Sequence, residues 1–461
     1  AGRPDFPVMA NRAKNGMPSI FLVSARDDLG PGPHPVAYWL HGGQGRAKQS
    51  TPGSRTIYGI DPDLGLLVAH NDDLVRRVVR DGVPQVGEEP TSSWWFGWGV
   101  GYDPFVAAAG PPPPGEMVVN YTQRRLAWIH QWLVDQGWVD PARASILGHS
   151  MGSAGATALG KVHPDAFGSV TVFNNGFGGP EADEFGQHLL GLPQDSLHTN
   201  LVDVAGDTVP VCAVFDLTTP VAASAADLPL FRAFHGKNDT NPTMQWDARV
   251  VREYVRADSL GLGAHLYWDE RPHAPSPEHP GHWAAGAGMD EQTQRDNVAY
   301  QERHRADRSF PAFHDHRLLP GIPQPGDGDP DSGDPWGTWG GYHDWDPVTV
   351  EDTPTRWAAT IFLIGLSAWP VDNCPVDSLI CDLVIRRPQA FRPDPGAVIA
   401  GEQVDVATGD TLRGGTVTAG PDGRVRLADV VTYRDPRRTR LGFRRAAVAV
   451  GRRTGAAALR L

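Results

Sequence analysis

A chain of 461 residues is longer than one hydrophobic core usually supports, since single cores stop growing near about 250–300 residues; two domains, or one large domain with an appendage, are expected. Apolar residues make up 40% and charged residues 21%, and no apolar run approaches the roughly 18–20 residues of a membrane helix, so no span is expected. A net charge of -13 argues against a surface built to neutralise phosphates, so nucleic acid is not an expected partner; the local basic run, Arg434, Arg437, Arg438, Arg440, Arg444 and Arg445, reads as a solvated face.

From the N-terminus to about residue 310, short apolar runs bounded by turn residues alternate with longer amphipathic stretches. That alternation predicts an α/β fold, a mostly parallel sheet covered by helices. The first expected strand is 19–25 (SIFLVSA) and the second 36–42 (VAYWLHG), which runs into His41-Gly42-Gly43-Gln44-Gly45. Glycines at a strand end let the backbone approach a substrate carbonyl, so the amide of Gly43 or of Gln44 is a candidate oxyanion donor. After the strand 65–71 (GLLVAHN) comes SSWWFGWGVGYDPF, where Trp94, Trp95, Phe96 and Trp98 crowd together. Loops at a sheet edge build substrate clefts, and Trp95 and Trp98 are expected to offer aromatic faces to a ligand; a packed loop core is the competing expectation.

Residues 117–136 carry apolar side chains at helical spacing and predict a helix. The strand 144–150 (ASILGHS) leads into Gly148-His149-Ser150-Met151-Gly152 and a small-residue helix start, SAGATALG. A serine in a sharp strand-to-helix turn needs small neighbours, because the backbone is strained and other chains pass close. Ser150 is therefore the expected nucleophile, and the first amide of the following helix, that of Met151, the second expected oxyanion donor.

Beyond the strand 169–175 (SVTVFNN), the strand 230–236 (LFRAFHG) runs into His235-Gly236-Lys237-Asn238-Asp239. A carboxylate in such a loop can orient an imidazole, which makes Asp239 the expected acid and Asp216 its rival. A helix is expected at 244–258. The strand 264–270 (AHLYWDE) precedes His273, with His282 and His279 further on. A general base must reach the serine oxygen, so the histidine nearest the strand end, His273, is preferred, and His282 is the alternative.

The ordered set HGGQG, GHSMG, HGKND and WDERPH resembles that of the α/β-hydrolase superfamily of serine esterases, and most of all secreted poly(hydroxyalkanoate) depolymerases and feruloyl esterases. The resemblance covers about residues 19–300 and implies a Ser150, Asp239, His273 triad with Gly43 and Met151 in the oxyanion hole. It implies a carboxylic-ester hydrolase working through an acyl-enzyme, on polyester or on aromatic or acyl esters, without metal or organic cofactor. A serine peptidase of the same fold and a non-catalytic polymer- or surface-binding protein are the alternatives.

The stretch 290–308 is expected to close the catalytic region 1–310 as a helix. From 311 to 461 Gly, Pro, Asp and Trp dominate first and alternating segments follow, so a β-rich region ending in a small β-sandwich is expected, with a hairpin turn at Pro421-Asp422-Gly423. Asp327, Asp329, Asp331 and Asp334 are spaced to gather around calcium, but Ser332 and Thr338 fit an EF-type loop poorly, and a solvated acidic loop is preferred. Three cysteines make no disulfide framework; Cys374 and Cys381 are near enough to close one loop, and Cys212 is expected to be a buried thiol. Together with 15 Trp and no leader at the start of the chain, this suggests a secreted or periplasmic protein whose signal peptide has been removed. Oligomeric state is not legible in the sequence.

Overall fold

Strands buried on both faces need apolar residues at successive positions rather than at alternate ones, and the runs read above meet that demand. The computed structural model describes residues 21–43, 45–50, 65–74, 77–80, 83–86, 91–102, 112–178, 190–191, 195–224, 227–241, 244–269, 272–273, 304–317, 337–364 and 376–445. Seven strands follow in the chain as expected: β1 (Phe21–Ser24), β2 (His34–Leu40), β3 (Leu66–His70), β4 (Val139–His149), β5 (Ser169–Phe173), β6 (Leu230–Gly236) and β7 (His265–Asp269). After β8 (Phe310–Arg317), the three-residue β9 (Gly337–Trp339) returns to the same sheet. The resulting eight-stranded sheet has the order β1-β3-β2-β4-β5-β6-β7-β9. Strands β2 to β7 are mutually parallel, while β1 and β9 run antiparallel at the two edges.

Side chains alternate across this sheet as the pleat requires. Val36, Tyr38 and Leu40 of β2, Ile146 of β4 and Val170 and Val172 of β5 face one core, which they share with Leu126, Ile129 and Leu133 of α1 (Tyr121–Asp135), Ala154 and Leu159 of α2 (Met151–Val162) and Tyr254 of α3 (Val251–Ser259). On the other face Trp39, Leu147, Phe173, Phe234 and Tyr267 pack with Tyr342, Leu363, Ile364 and Leu379. The Phe173, Phe234 and Tyr267 rings stack across neighbouring strands at 5.2 and 4.3 Å between centroids, each such pair adding about 0.5–1.5 kcal/mol beyond the area it buries.

The C-terminal strands form two more antiparallel sheets. β8, β12 (Ser378–Arg386) and β15 (Arg426–Tyr433) make one, and β10 (His343–Asp352), β11 (Arg356–Leu363), β16 (Thr439–Arg445), β13 (Val398–Asp405) and β14 (Thr411–Thr418) the other. Their inner faces share a core that includes Phe313, Leu383 and Val430 from the first and Trp357, Ile361 and Phe443 from the second.

After residue 310 the chain returns to the eight-stranded sheet, since β9 pairs with β7 and Leu363 and Leu379 cover a face of that sheet. Several expectations need correction. Residues 117–119 are a strand, not helix, because Val118 and Val119 pair with Gly99 and Trp98 and the helix begins only at Tyr121. Of the stretch 290–308, only 304–308 lies within the described residues, and it runs as a non-helical turn. The turn at Pro421-Asp422-Gly423 joins strands of different sheets, so it closes no hairpin. Cys212 is half-buried in a one-turn helix, Val211–Val214. Cys381 lies in the C-terminal core, and Cys374 falls outside the described residues.

Candidate active site

β4 ends at His149 and α2 begins at Met151, leaving Ser150 alone to reverse the chain with φ 56° and ψ -124°. A non-glycine residue there costs of order 1–3 kcal/mol of strain. The surroundings hold it: the Ser150 amide donates to the Phe173 carbonyl at 3.0 Å, and the Ser153 amide returns to the Ser150 carbonyl at 2.9 Å. Gly152 is required by proximity, because a Cβ at this position would lie 2.0 Å from the Leu40 carbonyl oxygen of β2.

Two loops from the same sheet edge meet this turn. His273, four residues beyond β7, has Nε2 3.0 Å from Ser150 Oγ and Nδ1 2.8 Å from Asp239 Oδ2. Asp239 follows β6; its Oδ2 also accepts from Asn174 Nδ2 at 2.8 Å and its Oδ1 from the Asn241 amide at 2.9 Å. Burial works to raise the Asp239 carboxyl, but the His273 hydrogen bond and charge, with His235 and Asn174, outweigh it and hold the group below the usual carboxylate range. An ionised Asp239 accepts the Nδ1 proton, which leaves Nε2 as the acceptor facing the Ser150 hydroxyl. Asp239's side chain is fully buried while that of His273 is 31% exposed, so solvent reaches the row from the histidine end.

Gly42 passes so near the serine that a Cβ on it would lie 3.3 Å from Ser150 Cβ, which sets the exposed Gly43 beside the turn; Met151 opens α2 immediately after the serine. Asp216 belongs to a separate buried cluster: its backbone carbonyl accepts from Lys161 Nζ, and burial, with the Glu253 charge, pushes its carboxyl up to about 6. His279 and His282 lie outside the described residues, as does the Asp327–Asp334 loop; among the described residues no group of His, Cys, Asp and Glu is arranged to hold a metal.

Trp95 and Trp98 are a correction. They are 0% and 1% exposed and belong to the core with Trp94 and Phe96, so neither presents a face to a ligand. The segment turns inward because Ser92, Ser93 and the Trp95 amide all donate to the carboxylate of Asp72, a residue just beyond β3 that is itself fully buried. Burial pushes Asp72 up to about 6 against these hydrogen bonds. Sequence reading also missed His149, whose Nε2 lies 3.1 Å from the His273 carbonyl, and Met244, whose sulfur is 3.8 Å from Ser150 Oγ. For His149 a signal existed, its place inside the GHSMG turn; Asp72 had only its position at the same strand ends.

No family model matches the chain, and no curated protein matches it. Solved structures similar to it include an S-formylglutathione hydrolase from Agrobacterium tumefaciens, at 15% identity over 62% of this chain and 95% of that one, with a TM-score of 0.37. A fluorophosphonate-binding serine hydrolase from Staphylococcus aureus is 11% identical over 62% and 99%, with a TM-score of 0.36. A ferulic acid esterase is 13% identical over 62% and 97%, with a TM-score of 0.35.

Proposed function

We propose that the chain is a serine hydrolase of carboxylic esters in which Ser150 is the nucleophile, His273 the general base and Asp239 the acid that orients it. The observation that carries this reading is the continuous row from Asp239 Oδ2 through both ring nitrogens of His273 to Ser150 Oγ, at 2.8 and 3.0 Å, on a serine whose backbone is strained. Ser150 Oγ attacks the ester carbonyl as its proton passes to His273 Nε2. The charge that develops on the carbonyl oxygen is met by the amides of Gly43 and Met151, the latter at the positive end of α2. His273 then protonates the departing alcohol, and water activated by the same imidazole releases the acid and restores Ser150.

With Trp95 and Trp98 in the core, the proposal is for carboxylic esters as a class, with no acyl or alcohol group singled out. In the same reading the two facing C-terminal sheets are a small β-sandwich that braces the catalytic sheet; the packing of Tyr342, Leu363 and Leu379 on that sheet supports this. The test is turnover of short p-nitrophenyl esters by the wild type and by Ser150→Ala. Loss of about 10³-fold or more in kcat is expected, and equal rates in the two proteins would remove the enzyme reading altogether.

A further inference from the structure

The loop after β2 holds a candidate oxyanion amide, and its carbonyls are tied down from behind. The Trp95 indole Nε1–H donates to the His41 carbonyl at 3.0 Å. His41 Nε2 accepts from the Asp72 amide at 3.2 Å. A backbone N–H can only donate, so this contact fixes the proton on Nδ1, which donates to the Gly42 carbonyl at 2.8 Å. The Gly45 amide reaches the same carbonyl at 3.1 Å. In a trans peptide C=O and N–H point in opposite directions, so holding the Gly42 carbonyl against the His41 ring turns the Gly43 N–H the other way.

Behind His41 stands Trp95, with ring centroids 4.8 Å apart. Its other side is set by α2, where Gly155 leaves room for it: a Cβ at 155 would lie 2.2 Å from that of Trp95. Its backbone is set by Asp72, whose Oδ2 accepts the Trp95 amide at 3.0 Å and the Ser92 hydroxyl at 2.7 Å, and whose Oδ1 accepts from Ser93. All of these residues are buried.

We infer that Asp72 and Trp95 are positioning residues for the oxyanion hole, a buried brace that fixes the His41–Gly43 peptides and thereby aims the Gly43 amide at the carbonyl oxygen of a substrate bound at Ser150. The inference rests on the reading of Ser150 as nucleophile. It assigns Trp95 a part in the rate and not in substrate contact. An amide that stabilises only the developing oxyanion affects kcat and leaves ground-state binding unchanged.

The experiment compares kcat, KM and the inhibition constant of phenylboronic acid, which forms a tetrahedral adduct at a reactive serine, for Trp95→Phe, Trp94→Phe, Asp72→Asn and Ser150→Ala with p-nitrophenyl butyrate as substrate. Trp94 is the control: it is equally buried in the same segment, and its indole nitrogen has no hydrogen-bond partner among the described residues. Trp95→Phe is expected to lower kcat about 10- to 100-fold and weaken the boronate in parallel, with KM changed less than about twofold. Trp94→Phe should keep kcat within about twofold of wild type. Asp72→Asn, nearly isosteric, should show the same division between kcat and KM and serves if Trp95→Phe does not fold. Equal loss of kcat in the two tryptophan variants would overturn the inference in favour of general packing. So would an unchanged kcat in Trp95→Phe or Asp72→Asn beside an inactive Ser150→Ala. Activity in Ser150→Ala would instead remove the nucleophile reading, and the brace with it.

Discussion

Asp239 accepts three hydrogen bonds, from His273, Asn174 and the Asn241 amide, and each bond to a charged acceptor contributes of order 1.5–3 kcal/mol. In Asp239→Asn the amide cannot accept the Nδ1 proton as a carboxylate does, so the imidazole loses the tautomer that faces Ser150. A fall in kcat on the order of 10³–10⁴-fold is expected, with KM little changed. Stability follows a definite sign. The carboxyl is held below its ordinary value of 3.8, so its contribution is fully present above that pH and is lost as pH falls through the lower folded value. Urea denaturation should therefore show Asp239→Asn less stable than wild type by about 1–3 kcal/mol at pH 7, with the gap narrowing below pH 4. A gap that is constant with pH would mean that the carboxylate charge contributes nothing.

At the scale of elements, the approach of α2 to the end of β2 sets the serine, the first helix amide and the glycine loop side by side. Gly152→Ala tests that approach directly, since the new Cβ would meet the Leu40 carbonyl oxygen, a backbone atom, at 2.0 Å. Helix and strand must separate, with a cost of about 1–3 kcal/mol in unfolding free energy, measured by denaturant titration, and a fall in kcat that exceeds any change in KM. A variant with wild-type kcat would show that the closeness is not needed for the reaction. This part of the site was legible in the sequence because its constraint is local: a strained serine between an apolar strand and a helix leaves its mark within five residues. The loops carrying Asp239 and His273 were legible for a related reason, each lying within four residues of the end of a parallel strand. Trp95 was misread because a run of aromatics has the same composition whether it lines a cleft or fills a core. What turns it inward is Asp72, some twenty positions away, and no local pattern ties an isolated aspartate to Ser92 and Ser93. The C-terminal contribution was hidden for a third reason, since β9 is only three residues long and sits in a stretch whose glycines speak against regular structure.

Across the whole molecule, the C-terminal sheets and the eight-stranded sheet are tied by charge as well as by apolar packing. Arg386 of β12 is 2% exposed and pairs with Asp227, just ahead of β6, while its Nη1 donates to the Leu262 carbonyl at 2.6 Å. The neighbouring Arg387 amide donates to the other Asp227 oxygen, and its guanidinium reaches the Phe167 and Pro164 carbonyls at 2.7 and 3.1 Å. Asp227→Ala would leave the Arg386 charge buried without its carboxylate. Breaking a buried pair from one side costs about 3–5 kcal/mol, a large share of the stability of an ordinary protein. If the two parts share one core, the loss must be felt by both. Tryptophan fluorescence, esterase activity and far-ultraviolet circular dichroism should then fall together in a single transition at lower denaturant than in wild type. Were esterase activity to survive a first transition that melts only the C-terminal strands, the sheets would be independent bodies, and the covering of Phe173, Phe234 and Tyr267 by Leu363 and Leu379 would add nothing to the stability of the eight-stranded sheet.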